Sequence, residues 1–507
     1  MLTHPLSILL DRDSEEPIYR QLIRHVRAQI ESGTLPAGTR LPASRDLARQ
    51  LNISRISVVN AYAELRAEGY LSAHAGRGTF VSGGRESIES PTSMMPSPAR
   101  PNGQHAEMIG ANNYPDRSLR ELMRMARRPG VINFSTGAPP TEFFPVSHLR
   151  EAINAVIDRD GSEALAYEVP EGYAPLRASV RDYVSALGIR CSSEHVLITG
   201  GTQQGIDLVV QSLLSEGDLV ITETPTYLGM LDIARTRRVR AFGVGMDDDG
   251  IRLDMLENVI LEHHPRLIYV MPSFQNPTGR VMPLHRRRQL LNLAHEYHVP
   301  ILEDAVYQEF RFEGETYPPL KALDEHGIVI HVSGFTKNLI PGLRIGYVIS
   351  DGIHHERLVR VKQAADISTP GLNQRALHWM LEHGVLALQM ERNMRELKRR
   401  RDVALAAARR SLPPGSKWEK PHGGMYLWVE LPKTGPTVAE LYIQAVQTGV
   451  AYALGNLFYT NGSGSHHMRI NFGAHKPVDI EEGFRRLGRA WRELACDYPE
   501  IEKAPLL

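Results

Sequence analysis

The chain has 507 residues, 58 basic and 58 acidic side chains, hence a formal net charge of zero, and two cysteines. That length exceeds the roughly 100–200 residues of one domain and predicts at least two domains; balanced charge excludes a global pull toward nucleic acid or membrane, so any such attraction must be local. Cys191 and Cys496 lie too far apart in sequence to suggest a metal site and fit a reducing compartment better than a disulfide framework.

The N-terminal stretch MLTHPLSILLDRDSEEP has no basic n-region and only a short apolar run, so no signal peptide is expected. No stretch approaches the ~18 apolar residues of a membrane helix, and a cytoplasmic protein is the expectation. Ile18, Leu22, Val26 and Ile30 recur every four residues and predict a helix with one apolar stripe. SGTLPAGTRLP then reads as a connector. Ser44 is expected to cap a short helix carrying Leu47, Ala48 and Leu51, and Ser54, after the turn NIS, to cap a third. On that third helix Val58, Ala61, Tyr62 and Leu65 face inward and Arg55, Ser57, Val59 and Asn60 outward, with Gly69 ending it. Tyr70–Ala73 and Thr79–Ser82 read as two short strands around HAGRG.

Three helices and a hairpin make the winged helix-turn-helix pattern, in which the third helix enters a major groove. Between Pro17 and Ser82 nine arginines stand against four acids, a local net charge of +5 in a neutral chain. Arginine forks suit phosphates and guanine edges. A small helical protein-interaction domain would share the pattern but does not call for that surplus. The run GTLPAGTRLPASRDLARQLNISRISVVNAYAELRAEGYLSAHAGRGTFV resembles the GntR-family DNA-binding domain along its whole length. The resemblance implies DNA contacts from Arg45, Ser54, Arg55, Ser57 and, on the wing, Gly76 and Arg77. The chain departs from the family at Val59, where many members carry a polar or basic residue, so the family's base preference is not carried over there.

After this domain (residues 10–82) the periodicity fails. Residues 83–118, with GGRESIESPTSMMPSPARPNGQH, cannot bury enough apolar surface to offset their ordering entropy and read as a linker. Arg117–Arg128 is a candidate helix entering a large domain of residues 119–495. There the runs HVLITGG, LVITETP, LIYVMP, VPILEDAVY and GIVIHVSGF alternate with helical periods, predicting an α/β domain with a mostly parallel sheet. Ligands gather at the carboxyl ends of such strands.

Lys337, one of nine lysines, follows the last of these runs. A lysine there could be a surface residue, a phosphate contact or a Schiff-base amine. Its company narrows the choice. Asp304 ends one strand, Tyr307 follows it by three, Asn276 lies in SFQNPTG, Tyr227 follows TETPT, and TGGTQQG is a glycine-rich turn into a helix. Pyridoxal 5'-phosphate asks for these parts: a lysine for its aldehyde, a carboxylate for its ring nitrogen, donors for its ring oxygen, an aromatic for its face, and amides with an arginine for its phosphate.

From about Pro129 to Arg492 the chain resembles the fold-type I aminotransferases of class I/II, whose large domain carries a smaller C-terminal α+β subdomain. The resemblance implies that Lys337 in GFTKNLIPGLRIGY forms the internal aldimine, Asp304 pairs with the pyridine nitrogen, and Tyr307 and Asn276 bond the phenolic oxygen. It implies that Tyr227 stacks on the ring, that Gly201, Thr202, Gln203 and Arg344 hold the phosphate, and that Tyr167 in AYEVPEGY reaches the neighbouring subunit's phosphate, hence a homodimer. Arg469 in MRINFG would grip a substrate carboxylate bidentately. The family usually has Ser or Thr three positions before the lysine; Gly334 stands there, with Ser333 and Thr336 as alternative hydroxyls.

Winged helix, linker and aminotransferase-like domain in that order resemble the MocR/GabR-type branch of the GntR regulators, which implies a transcription regulator of double-stranded DNA sensing a small amine, an amino acid or the cofactor itself. An active aminotransferase of a 2-amino acid with an appended DNA-binding domain is the alternative. The pairs His263-His264 and His466-His467 lack a spaced ligand set, so no metal is expected, and HRRR (285–288) and LKRRR (397–401) read as solvated helix faces.

Overall fold

In a computed structural model the protein is described over residues 18–31, 34–36, 38–51, 53–67, 70–74, 78–81, 126 and 128–495. The chain forms two compact units. Gly76, Arg77, the expected linker of 83–118 and, except for Ala126 and Arg128, the expected entry helix lie outside the described residues.

In the N-terminal unit, helices α1 (Ile18–Glu31), α2 (Ser44–Leu51) and α3 (Arg55–Ala67) pack on a hairpin of β1 (Leu71–His74) and β2 (Gly78–Val81). Leu22, Val26, Leu47, Val58, Ala61 and Leu65 are fully buried; removing a Val or Leu side chain from water stabilises by ~1.5–3 kcal/mol, so a handful of such positions holds a small unit together. Ser54 caps α3 by accepting the Ser57 N–H at 3.2 Å. Ser44 does not cap α2: the helical ladder starts from the Ala43 carbonyl, which accepts Leu47 N–H at 3.0 Å and puts Ser44 inside the first turn. The connector also does more than connect. Arg40 bridges Phe80, and Leu41 N–H donates to the Thr79 carbonyl at 2.9 Å, so the connector runs alongside β2.

The large unit is built on an eight-stranded sheet. Its strands are β3 (Val196–Thr199), β4 (Leu219–Thr224), β5 (Arg240–Asp247), β6 (Gly250–Ile251), β7 (Leu267–Val270), β8 (Ile301–Asp304), β9 (Val329–Gly334) and β10 (Gly346–Ile349), in the spatial order β3-β10-β9-β8-β7-β4-β5-β6. From β9 through β8, β7 and β4 to β5 every pair is parallel; β10 runs antiparallel between β9 and β3, and β6 turns back on β5. Strands β7, β8 and β9 are buried at every residue, as a parallel sheet covered on both faces requires. The five apolar runs of the sequence are β3, β4, β7, β8 and β9. Three strands of this sheet escaped the sequence reading: β5 is only half-buried and interrupted by glycines, β6 is two residues long, and β10 hides behind the Pro-Gly turn after Lys337.

Helix α4 (Thr202–Leu213) leaves β3, and α5 (Leu284–Glu296) covers the sheet between β7 and β8. Helix α6 (Val385–Ser411) leads to a smaller antiparallel sheet of β11 (Lys417–Trp418), β12 (Tyr426–Glu430), β13 (Ala453–Leu454) and β14 (His467–Asn471), ordered β11-β12-β14-β13. The C-terminal helix α7 (Pro477–Ala495) packs on α6, and the two enclose a separate core with β12 and β14.

The arginine runs on α5 and α6 are not solvated faces throughout. Arg287, Arg400 and Arg401 are 0–2 % exposed. Burying a guanidinium is costly unless its donors are met, and here they are. Arg287 donates to the carbonyls of Met282, Pro318 and Pro272 at 2.9, 3.0 and 2.9 Å and to Ser273 Oγ at 2.8 Å. Burial pushes its pKa down to about 10. Arg400 donates to the Gly473 carbonyl at 2.9 Å and to Glu142 at 2.6 Å; Arg401 donates to Glu313 at 2.8 Å and to the Pro421 carbonyl at 2.9 Å.

Candidate cofactor and effector cavity

At the carboxyl ends of the parallel strands, where they meet β12 and β14, lies a cavity of about 510 Å³. It is lined by nine of the residues singled out from the large domain: Lys337, Asp304, Tyr307, Asn276, Tyr227, Thr202, Gln203, Arg344 and Arg469. Gly201 sits directly behind this wall. Tyr167 is not part of it; its side chain is 85 % exposed.

Lys337 stands three residues beyond β9, and its Nζ donates to the Gly137 carbonyl at 2.6 Å. Burial, aided by Arg469 and Arg344, lowers the amine's pKa against the opposing pull of Tyr426 and Asp304. A side chain at 137 would crowd this arrangement, since a Cβ there lies 3.2 Å from the Tyr426 hydroxyl and 3.8 Å from Lys337 Nζ. Asp304 closes β8 at the floor of the cavity. Its Oδ2 accepts from Tyr269 OH at 2.8 Å and its Oδ1 from Val306 N–H at 3.2 Å. Burial outweighs these bonds and raises the carboxyl to about 6. A carboxylate held this way is well placed to take a proton-bearing ring nitrogen as its partner.

Arg469, on β14, is fixed on three sides. Nη1 donates to Asn276 Oδ1 at 2.8 Å and Nη2 to the Ser135 carbonyl at 2.8 Å. Its guanidinium lies 4.2 Å from the centre of the Tyr426 ring and 5.0 Å from that of Phe458. Nε has no partner among the described residues. Tyr426 in turn shares a 2.7 Å hydrogen bond with Tyr307, hydroxyl to hydroxyl. Tyr227 donates to Gln203 Oε1 at 2.9 Å, and Gln203 Nε2 donates to the Gly229 carbonyl at 3.1 Å, which fixes the tyrosine ring over the cavity.

The remaining wall gathers groups suited to an anion. Gly201 turns the chain from β3 into α4 with φ of 99°, a conformation glycine adopts without strain. A Cβ there would lie 2.7 Å from Arg344 Nη2. Arg344 Nη2 donates to the Gly200 carbonyl at 2.9 Å. The first turn of α4 begins at the cavity wall with Thr202 and Gln203, and the unpaired N–H groups of a helix N-terminus suit an anion. Beside it the hydroxyls of Thr202 and Thr336 line the cavity, both buried and both without a partner among the described residues. Ser333, the other alternative at Gly334, spends its hydroxyl on the Ala305 carbonyl at 3.3 Å. Thr336 is therefore the neighbouring hydroxyl that faces the cradle.

Sequence reasoning missed Ser135, Gly137, Tyr426 and Phe458. Tyr426 reads as one more apolar strand residue in MYLWVEL, and Ser135 and Gly137 lie in an irregular segment that comes to the site only through the fold. In the N-terminal unit Arg45, Ser54 and Arg55 are exposed and Ser57 is half-buried; Ser54 and Ser57 hydroxyls lie 3.2 Å apart at the start of α3.

Fold and cavity define the class: an aminotransferase-like α/β domain preceded, in one chain, by a winged helix-turn-helix DNA-binding domain. Residues 129–487 match the aminotransferase class I and II family, and residues 18–81 match the bacterial regulatory proteins of the gntR family. The uncharacterized HTH-type transcriptional regulator YdfD of Bacillus subtilis is 30 % identical over 94 % of this chain and 97 % of its own. The probable rhizopine catabolism regulatory protein MocR of Rhizobium meliloti is 30 % identical over 83 % of each chain. The chain belongs to the MocR-type regulators of the GntR family, with a class I/II aminotransferase domain. Among solved structures, LysN, an alpha-aminoadipate aminotransferase of Thermus thermophilus complexed with N-(5'-phosphopyridoxyl)-L-leucine, superposes with a TM-score of 0.69 at 37 % identity, over 75 % of this chain and 95 % of LysN. Aminotransferases of this class depend on pyridoxal 5'-phosphate. The donor set fits that cofactor: two orphaned hydroxyls, a helix N-terminus and an arginine for the phosphate, a buried carboxylate for the ring nitrogen, and a lysine for the aldehyde. Among the described residues no helix is long and apolar enough to cross a membrane.

Proposed function

We propose that this chain is a cytoplasmic, homodimeric transcription regulator that binds operator DNA through its first domain and senses a small amine or amino acid through the pyridoxal phosphate site of its second. The observation that carries the reading is the complete cavity, from Lys337 to Arg469, in the same chain as an arginine-rich winged helix. Residues 10–82 would form the DNA-binding domain, 83–118 the linker and 119–495 the effector domain.

Lys337 is the residue that would hold the cofactor, Asp304 would hold a proton at its ring nitrogen, and Tyr307 and Asn276 would donate to its phenolic oxygen. Tyr227 would cover its face. Gly201, Thr202 and Gln203, by their place at the start of α4, would hold its phosphate together with Thr336 and Arg344. Bound pyridoxal phosphate supplies an aldehyde for amines and an electron-accepting ring. Arg469 would bind an effector's carboxylate through its paired N–H groups. An amine effector competes with Lys337, and a freed Lys337 has the Gly137 carbonyl as its partner. The switch then lies in which partner Lys337 keeps, and it works only as far as the effector binds the two states differently.

The loop that bears Tyr167 supports a homodimer. Arg375 fixes it by donating to Glu168 at 2.7 Å and to Asp160 at 3.1 Å, yet Leu165, Tyr167 and Val169 are 72, 85 and 53 % exposed. A tethered loop that presents three large apolar side chains suits a second copy, to whose phosphate site Tyr167 would reach. Arg45, Ser54, Arg55, Ser57, Gly76 and Arg77 would contact the DNA.

The test uses purified protein loaded with cofactor. A promoter fragment should be retarded, with binding that falls steeply as salt rises. The near-visible absorbance should respond to some amines or amino acids, and Lys337→Ala should lose both the response and the borohydride-stable attachment of cofactor. Rapid transamination without DNA binding would overturn the regulator reading in favour of an aminotransferase of a 2-amino acid, the reading that the likeness to LysN favours.

A further inference from the structure

Among the described side chains of helix α3, one large apolar group stands in the open. Val59 is 42 % exposed, although Val58, Ala61, Tyr62 and Leu65 of the same helix are buried. At about 100° per residue, Val59 lies roughly 40° from Arg55 and 20° from Arg66 around the helix axis, so the three share one stripe. Both arginines are exposed. The stripe is oriented firmly, because Tyr62 on the buried side donates its hydroxyl to the Pro42 carbonyl at 2.9 Å and Ser54 caps the helix start. Val59, with its isopropyl group between two exposed arginines, belongs neither to the unit's buried core nor to the apolar residues packed against it.

Duplex DNA offers such a stripe a matching surface. Its phosphates and guanine edges take arginine, and its major groove has one apolar feature, the C5-methyl group of thymine. We propose that Val59 is a specificity-determining residue that reads a thymine methyl in the operator, one helical turn along α3 from the position Arg55 reads. The assignment rests on the DNA-binding reading given above. It selects thymine over cytosine at that position by apolar contact, where a polar or basic residue would select by hydrogen bonding.

The experiment enriches duplexes from a randomised pool on the full-length, cofactor-loaded protein. Each thymine of the enriched sequence is then replaced by uracil, which lacks only the methyl group. Affinity is read by fluorescence anisotropy at fixed salt. One thymine per half-site should show a loss of about fourfold on replacement, the value of one buried methyl. Val59→Ala should lose a similar factor on the thymine duplex and show no further loss on the uracil duplex. Val59→Thr, which keeps the shape and one methyl, should lie between. Indifference of the wild type to uracil at every position, or equal losses from Val59→Ala on both duplexes, would overturn the assignment while leaving DNA binding standing. Failure to enrich any duplex would overturn the DNA-binding reading and the assignment with it.

Discussion

Replacing Thr336 by valine separates the cradle's purpose from its packing. The Thr336 hydroxyl is buried against the cavity and has no partner among the described residues. Such an unmet hydroxyl costs about 1–3 kcal/mol. Valine keeps the branched shape and removes that cost, so the cofactor-free variant should be more stable than the wild type by about 1 kcal/mol. With cofactor bound the sign reverses. A hydrogen bond to a charged phosphate contributes about 1.5–3 kcal/mol, and 1.4 kcal/mol is tenfold in affinity, so the dissociation constant should rise by roughly 10- to 100-fold. Thermal unfolding with and without pyridoxal phosphate, together with a fluorescence titration of the cofactor, reads both effects. Ser333→Ala serves as the control, because its hydroxyl is already committed to the Ala305 carbonyl. A variant that binds cofactor within twofold of the wild type, or a serine control that loses as much, would refute the reasoning.

Asp304→Asn tests the burial of the cavity floor in the cofactor-free protein. Folding raises the Asp304 carboxyl from its ordinary 3.8 to about 6, so the stability it contributes is full below pH 4 and is lost as pH rises through 6. The loss is roughly 3 kcal/mol, and the asparagine variant should lack that part of the slope in denaturant unfolding between pH 4 and 6. Arg469→Ala should weaken effectors that carry a carboxylate at least tenfold and spare simple amines, as followed by absorbance titration; equal losses for both would make Arg469 a purely structural residue. Arg287→Lys should not rescue the buried fork, because three donors on one nitrogen cannot reach the separate carbonyls of Met282, Pro272 and Pro318. Denaturant unfolding should show a loss of about 3 kcal/mol or more.

The sequence was legible where local chemistry fixes the backbone. Strands β4, β7, β8 and β9 are apolar runs that pass into residues lining the cavity, so Asp304, Tyr307, Asn276, Tyr227 and Lys337 could be singled out from their positions and chemistry, while the family resemblance gave them their roles. Partners that arrive from far along the chain could not be. Tyr426 meets Tyr307 across 119 residues, and the acceptors of Arg400, at Glu142 and Gly473, lie 258 and 73 residues away. An arginine run on a helix looks the same whether it faces water or three carbonyls from elsewhere. Only the register of the helix against its neighbours decides, and in α6 it turns Arg400 and Arg401 inward beside Leu397 and Ala404.

Gly334 is best understood together with the two backbones it touches. It pairs with Gly346 across β9 and β10, and a Cβ on it would lie 2.8 Å from the Gly346 Cα and 3.0 Å from Thr202 Oγ1. A Cβ on Gly346 would in turn lie 2.6 Å from the carbonyl carbon of Gly201 and 2.7 Å from the Thr202 nitrogen. Two strands and the first turn of α4 thus pass closer than any side chain allows. A hydroxyl-bearing side chain has no room at this position, and Thr202 Oγ1 lies in the space it would need. The close crossing brings the start of α4, with its N–H groups and the Thr202 hydroxyl, toward the strand that delivers Thr336 and Lys337. Glycine at 334 is therefore what lets these backbones cross, and the crossing sets the hydroxyls of Thr202 and Thr336 side by side at the cavity.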